Sequence, residues 1–177
     1  TKPTHVEQYF KEEVNVKMVL NGGSCSNGIE STIIGFENEE PVIYRLGALA
    51  LEEIEAVVGE IPVKNKKEEN PDAPGMLARH YAPSTRTFLV DDIDNMVKSH
   101  IGKKMGVLVF KNSLNNRSLN EIVLSKKGSM QEAASKLYDS LHELDSKNLD
   151  LIIAERFPDK GLGKSINDRL QRATFSS

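Results

Sequence analysis

The sequence has only one cysteine, Cys25, among its 177 residues. A single cysteine excludes an internal disulfide and indicates a reducing compartment such as the cytoplasm. The chain also lacks any run close to the ~20 apolar residues that a membrane span requires, so we expect no membrane association. Its formal net charge of -3 gives no excess of basic residues, which disfavours a protein that coats nucleic acid.

The chain begins with Thr1-Lys2-Pro3-Thr4, which is neither an initiator methionine nor a signal peptide. We therefore expect a fragment or a processed product. With 38% hydrophobic residues, its 177 residues can build a core in one large or two small domains.

Hydrophobic periodicity predicts strands and helices that alternate along much of the chain. In the first third we expect a helix over 4–11, strands over 14–20, 31–36 and 41–45, and a helix over 51–58 that ends at Gly59. In the second half we expect strands over 87–90, 105–110, 121–124 and 149–154, with helices over 93–101, 133–144 and 166–173. This alternation indicates a mostly parallel sheet with helices on its faces.

The segment between the two halves carries the most distinctive residues of the chain. Residues 64–73 are rich in Lys, Glu, Asn and Pro. They are followed by the stretch 74–83, which ends in His80-Tyr81-Ala82-Pro83. Its prolines restrict the backbone, and Gly75 permits an unusual conformation. The imidazole, the phenol and the guanidinium of Arg79 suit a nucleotide or a polyanion. The alternative is a loop pinned by the packing of Tyr81, and the residues alone leave both interpretations open.

Two further features suit phosphate. The glycine-rich segment 21–32 follows a predicted strand and ends in Ser31 and Thr32, whose hydroxyls and neighbouring N–H groups can bind an anion. Arg45 lies at the end of a later strand, where its guanidinium could pair with phosphate or carboxylate. The plainer alternatives, a flexible loop and a surface ion pair, stay open.

Other patterns carry less chemistry. Gly163-Lys164-Ser165 looks like a phosphate-binding loop, but Pro158 occupies the position of the first glycine of that motif and has no N–H. We therefore interpret Lys164 as a solvated residue at a helix start. No second His or Cys lies at ligand spacing from His80, so we predict no metal site. A Cys25–His80 nucleophilic pair lacks a neighbouring group that would orient the base.

Several motifs in this order resemble the L-threonylcarbamoyladenylate synthase family, in its long form with a YrdC-like catalytic domain and an extra C-terminal domain. They are Leu20-Asn21-Gly22-Gly23, Gly28-Ile29-Glu30-Ser31-Thr32-Ile33, Tyr44-Arg45-Leu46-Gly47-Ala48, Pro74-Gly75-Met76 with His80-Tyr81-Ala82-Pro83, and Gly161-Leu162-Gly163 with Ile166-Asn167-Asp168-Arg169-Leu170. The resemblance implies an α/β fold in three parts. These are a partial YrdC-like α/β segment over 1–59, a linker over 60–84 that carries the lid motif, and a Rossmann-like parallel-sheet domain over 85–177.

The resemblance also implies a reaction. Members of the family condense L-threonine, bicarbonate and ATP, with Mg²⁺ carried by the nucleotide, into threonylcarbamoyl-adenylate and pyrophosphate. A downstream complex then transfers the threonylcarbamoyl group to tRNA, and the intact enzyme itself could make weak RNA contact. The implied ATP-binding residues are Ser31, Thr32, Arg45, His80 and Tyr81.

The chain departs from the family in one respect, because the basic cluster and the Ser-Ala-Asn motif of the family's N-terminal part do not occur in it. We therefore expect the C-terminal portion of such an enzyme, inactive by itself. The alternative is a regulatory Rossmann-like module over 87–177 that binds a nucleotide or a partner protein without catalysis. A third interpretation, an RNA-binding module, is opposed by the acidic net charge.

Overall fold

The computed structural model describes residues 1–64, 82–116 and 118–174. Within these ranges the helices are α1 (Pro3–Tyr9), α2 (Leu51–Val58), α3 (Ile93–Ser99), α4 (Met130–Asp145) and α5 (Leu162–Ala173). The strands are β1 (Ile33–Glu37), β2 (Glu40–Arg45), β3 (Thr87–Val90), β4 (Met105–Val109), β5 (Asn120–Val123) and β6 (Leu151–Glu155). No helix of these ranges has the length and apolar character needed to cross a membrane.

Four strands of the second half form a parallel sheet in the order β3-β6-β4-β5. Helices α4 and α5 pack on one face of this sheet, and α3 packs on the other. Because both faces are covered, β4 is buried along its whole length and reads as a continuous apolar run. The predicted α/β fold class and its four C-terminal strands are confirmed.

The first half forms a smaller unit around the antiparallel hairpin β1–β2. Asn38 and Glu39, at the tip of the hairpin, both have positive φ, which gives the chain reversal the twist that a tight hairpin needs. A small core lies between β2 and α2 and is formed by Ile43, Leu46, Ile54 and Ile61. The predicted hairpin strands and the helix ending at Gly59 are therefore present.

The predicted strand over 14–20 is wrong, because this segment lies outside every helix and strand. The side chains of Val14, Met18 and Leu20 are 75%, 76% and 82% exposed. A strand requires a neighbour that satisfies its backbone groups. None of the described strands pairs with this segment, so apolar alternation alone does not form one.

The two halves pack against each other through the face of α4. Gly28 lies directly on this helix, and a Cβ at that position would come within 2.3 Å of Ser135 Cα. Its φ of +70° also favours glycine. Nearby, Lys2 Nζ forms an ion pair with Asp139 at 2.6 Å. These contacts bring the segment before Ser31 onto the part of the chain that forms the parallel sheet.

Candidate functional site

The structure brings Ser31 and Arg45 together at the end of β2. The Nε group of Arg45 donates to the Ser31 carbonyl oxygen at 3.1 Å, and its Nη2 lies 3.2 Å from the Ser31 hydroxyl oxygen. Arg45 is only 8% exposed, whereas Ser31 is exposed. A surface hydroxyl is therefore backed by a guanidinium that is largely removed from water. This arrangement places a positive charge behind a surface hydroxyl that can donate to an anion.

The segment after Arg45 packs directly on the Ser31–Thr32 backbone. A Cβ at Gly47 would lie 2.2 Å from the carbonyl carbon of Ser31, so only glycine fits this approach. The Thr32 hydroxyl donates to the Leu49 carbonyl at 2.9 Å and lies 3.3 Å from the Leu49 amide nitrogen. Thr32 therefore joins the two segments and holds the turn that presents Ser31.

Helix α5 of the C-terminal domain supports the same two segments from behind. Arg169 Nε donates to a Glu30 carboxylate oxygen at 2.7 Å, and its Nη2 donates to the Leu46 carbonyl at 2.6 Å. The hydroxyl of Ser165 donates to the Gly47 carbonyl at 2.8 Å. Residues next to Ser31 and next to Arg45 are thus tied to a single helix.

Opposing effects act on the Glu30 carboxyl. Burial raises its pKa, while the charge and hydrogen bond of Arg169 and the charge of Arg45 lower it, and the net pKa lies below the usual value. Burial lowers the pKa of Arg169, but the charge and hydrogen bond of Glu30 raise it by more, so the net pKa lies above the usual value. The pair is therefore ionised at neutral pH.

Both ends of the linker are fixed to the described parts of the fold. At its start, the Ile43 amide donates to the Pro62 carbonyl at 2.9 Å, and the Lys64 amide donates to the Ile43 carbonyl at 2.8 Å. At its end, the amides of Ser84 and Thr85 donate to the Asp145 carboxylate at 3.0 and 2.8 Å. The predicted site residues His80 and Tyr81 lie between these anchors, outside the described residues.

Lys164 lies in the first turn of α5, as predicted, and its side chain is partly exposed. Its Nζ forms an ion pair with Glu52 of α2 at 2.8 Å, and the Glu52 carboxylate also accepts from the Gly161 amide at 3.2 Å. A carboxylate of the protein therefore occupies the position at the start of α5 where a phosphate would bind. The resemblance to a phosphate-binding loop does not extend to a vacant anion site.

The carboxyl ends of the parallel strands form a cleft of about 460 Å³. Its lining includes Asp91, Asp92, Asp94 and Glu155. Ligands of open α/β sheets usually bind at this edge, but four carboxylates repel the phosphates of a nucleotide. Within the described ranges, no three His, Cys, Asp or Glu side chains are grouped to hold a metal ion. The cleft does not favour the alternative of a nucleotide-binding regulatory module.

Sequence reasoning missed the supporting role of Arg169 and Ser165. Arg169 follows Ile166 by three positions and therefore lies on the apolar face of the last helix. A charged residue on a face that is otherwise buried indicates a buried partner, and this signal was available in the sequence. The partner itself, Glu30, lies too far away in the chain for spacing to identify it.

The family model and the curated relatives that match this chain carry the same name. The family model for the C-terminal domain of threonylcarbamoyl-AMP synthase matches residues 49–174. Among curated proteins, the threonylcarbamoyl-AMP synthase of Pyrococcus abyssi is 34% identical over 188 residues, which cover 98% of this chain and 53% of that protein. The Bacillus subtilis protein of the same name is 31% identical over 183 residues, covering 98% and 52%.

Solved structures agree. The crystal structure of P. abyssi Sua5 complexed with L-threonine matches with a TM-score of 0.82 at 32% identity, covering 98% of this chain and 53% of that one. A second P. abyssi structure, in which a histidine and the tyrosine after it are replaced by alanine, matches with a TM-score of 0.79 and 32% identity, covering 98% and 52%. The chain spans about half the length of the curated relatives it matches.

Proposed function

Because this chain belongs to the threonylcarbamoyl-AMP synthase family and carries its C-terminal domain, we propose that it is the C-terminal portion of an enzyme of that activity. The intact enzyme would condense L-threonine, bicarbonate and ATP into threonylcarbamoyl-adenylate and pyrophosphate. A downstream complex would use this product to modify tRNA. The P. abyssi structure with L-threonine bound supports threonine as a substrate of the parent enzyme.

The contact between Arg45 and Ser31 supports a phosphate-binding role for this site. Arg45 would neutralise the charge of the ATP phosphates, and the Ser31 hydroxyl would donate to a phosphate oxygen. Fixed donors of this kind stabilise the charge that develops when threonylcarbamate attacks the α-phosphate and pyrophosphate leaves. Thr32 would act through the turn, because its hydroxyl is bonded to the Leu49 backbone.

His80 and Tyr81 are proposed to contact the nucleotide from the linker. The linker leaves the core beside β2, which ends at Arg45, and it returns to the end of α4. His80-Tyr81 is also the one His-Tyr pair in this sequence, and such a pair is the one replaced in the P. abyssi double variant. Carbamate is unstable in water, so a lid that excludes solvent would favour adenylation.

Mg²⁺ would enter with ATP, held by phosphate oxygens and water. The carboxylate closest in sequence to Ser31, that of Glu30, is bonded to Arg169 and does not offer a cation site. We propose the cytoplasm as the compartment, since Cys25 is an exposed free thiol.

Calorimetric titration of ATP into the full-length enzyme tests the site. We expect Arg45→Gln to weaken ATP binding by about tenfold or more, because a charge-assisted phosphate contact is lost. Arg156→Ala is the matched control, since Arg156 pairs with Asp91 at the acidic cleft and should leave ATP affinity unchanged. Wild-type ATP affinity in Arg45→Gln would contradict the proposal.

Two further measurements address the lid and the fragment. His80→Ala in the full-length enzyme should weaken ATP binding at least severalfold, and unchanged affinity would argue against the lid. The 177-residue chain alone should release no pyrophosphate from ATP in the presence of threonine and bicarbonate. Sustained turnover by this chain would show that the missing catalytic part is not required.

A further inference from the structure

We infer that Arg169 is a positioning residue for nucleotide binding, which sets the Ser31 hydroxyl and the Arg45 guanidinium in a fixed relation from behind. This inference rests on the proposed function, and it gives the C-terminal domain a direct part in building the ATP site. Arg169 itself lies behind the two segments and is not proposed to contact ATP.

The guanidinium of Arg169 uses all three of its nitrogens at this place. Its Nε bonds to Glu30, its Nη2 bonds to the Leu46 carbonyl, and its Nη1 bonds to Asp168. Glu30 immediately precedes Ser31, and Leu46 immediately follows Arg45. Because the guanidinium is planar and rigid, its bonds fix the two segments relative to each other.

Neighbouring groups on α5 hold the guanidinium in place. The Asp168 carboxylate accepts from Arg169 and also from Arg172 Nε at 3.0 Å. One turn earlier, Ser165 is bonded to the Gly47 carbonyl. The helix therefore forms hydrogen bonds to two successive carbonyl groups of the segment after Arg45, those of Leu46 and Gly47.

The burial of this cluster favours a role in geometry over one in stability. The Arg169 side chain is 3% exposed, and that of Glu30 is 22% exposed. A buried ion pair gains little net stability, because removing two charges from water costs about as much as their attraction returns. In other proteins, replacing a buried ion pair with well-packed apolar side chains is often neutral or stabilising. A rigid charged fork, in contrast, fixes the directions of the groups it binds.

The competing explanation is that Arg169 only joins the two halves. The Lys2–Asp139 ion pair separates the two, because it also crosses the interface between the halves but touches neither Glu30–Thr32 nor Arg45–Gly47. If Arg169 acts as a general joint, breaking either ion pair should have the same consequences. If it positions the phosphate-binding groups, only the Arg169 variants should affect ATP.

The experiment compares Arg169→Lys, Arg169→Gln, Ser165→Ala and Asp139→Asn in the full-length enzyme. ATP and L-threonine are titrated separately by calorimetry, and thermal unfolding is recorded for each variant. We expect Arg169→Lys, which keeps the charge but not the fork, to weaken ATP binding by about 3- to 30-fold, a range typical of residues that act through others. L-threonine affinity should stay within about twofold, and Asp139→Asn should change neither affinity.

Ser165→Ala provides a milder perturbation if the Arg169 variants fail to fold, and it should weaken ATP binding by about twofold or more while leaving L-threonine binding intact. The inference is overturned if folded Arg169→Lys, or Ser165→Ala where the former is unfolded, binds ATP as the wild type does. It is also overturned if ATP and L-threonine affinities fall together, or if Asp139→Asn gives the same loss. Arg45→Gln, measured alongside, separates the two failures: if it too leaves ATP binding unchanged, the proposed site itself is wrong.

Discussion

Replacing Gly47 with alanine tests whether the candidate site depends on the close approach of its two segments. A Cβ at this position would lie 2.2 Å from the Ser31 carbonyl carbon, 2.3 Å from the Thr32 nitrogen and 2.5 Å from the Glu30 carbonyl oxygen. All three atoms belong to the backbone, so no side-chain rotation relieves the contact. One of the two segments must move, and the Ser31–Arg45 geometry must change with it.

The expected loss of stability follows from the cost of overpacking, which is about 1–3 kcal/mol. Because the contacts are with backbone atoms, we expect the upper end, about 3 kcal/mol. In a protein of this size each kcal/mol shifts the Tm by about 2–4 °C, which gives a decrease of about 6–12 °C. In the full-length enzyme, ATP binding should weaken by about tenfold, because the displaced hydroxyl and guanidinium no longer converge on one phosphate.

Gly22→Ala is the matched control for stability, since a Cβ there meets no atom of the described residues within 4 Å. Thermal unfolding followed by circular dichroism and ATP titration by calorimetry are measured for both variants. We expect Gly22→Ala to keep the wild-type Tm or raise it slightly through the reduced freedom of the unfolded chain. A Gly47→Ala variant that keeps the wild-type Tm and ATP affinity would show that the site does not depend on the close approach of the two segments.

Substitutions at three other residues address separate contacts. Thr32→Val should lower the free energy of unfolding in urea by about 1 kcal/mol, because the Leu49 backbone loses its hydrogen-bond partner. Thr32→Ser keeps the hydroxyl and should lower it by less. Equal losses in the two variants would contradict the role of the hydroxyl. Burial raises the pKa of Asp145. The hydrogen bonds from Ser84 and Thr85 at the end of the linker lower it by more, so the pKa in the folded state lies below its usual value. The stability from Asp145 should therefore be present above its unfolded pKa of about 3.9 and be lost as the pH falls through the folded value. The stability difference between wild type and Asp145→Asn should shrink below about pH 4, and a difference that is constant with pH would contradict this. Lys164→Gln should cost less than about 1 kcal/mol, an effect weakened by salt, and leave ATP affinity unchanged in the full-length enzyme; loss of ATP binding would restore the phosphate-loop interpretation.

The sheet of the C-terminal domain could be predicted because its strands are buried on both faces. Residues 105–109 form an apolar run that suits a covered strand, and the stripe of α4 matches the face that it buries. Local pattern and final environment agree there. The same agreement holds for the β1–β2 hairpin, where both strands find their partner a few residues away.

Features that depend on distant partners could not be predicted in this way. The alternation over 14–20 indicated a strand, but pairing requires a second strand that the sequence pattern does not supply. The ion pair of Lys164 could not be predicted, because its partner, Glu52, lies in another part of the chain. Ser31 and Arg45 could be selected as phosphate ligands by residue type, whereas their mutual contact and their support by Arg169 required the structure.

A crystal structure of the full-length enzyme with a non-hydrolysable ATP analogue would show whether Ser31 and Arg45 bind the triphosphate. We predict phosphate oxygens at about 2.7–3.2 Å from the Ser31 hydroxyl and from the Arg45 guanidinium. We also predict that His80 and Tyr81 contact the nucleotide from the linker side. A triphosphate bound at another place, out of contact with Ser31 and Arg45, would contradict this prediction.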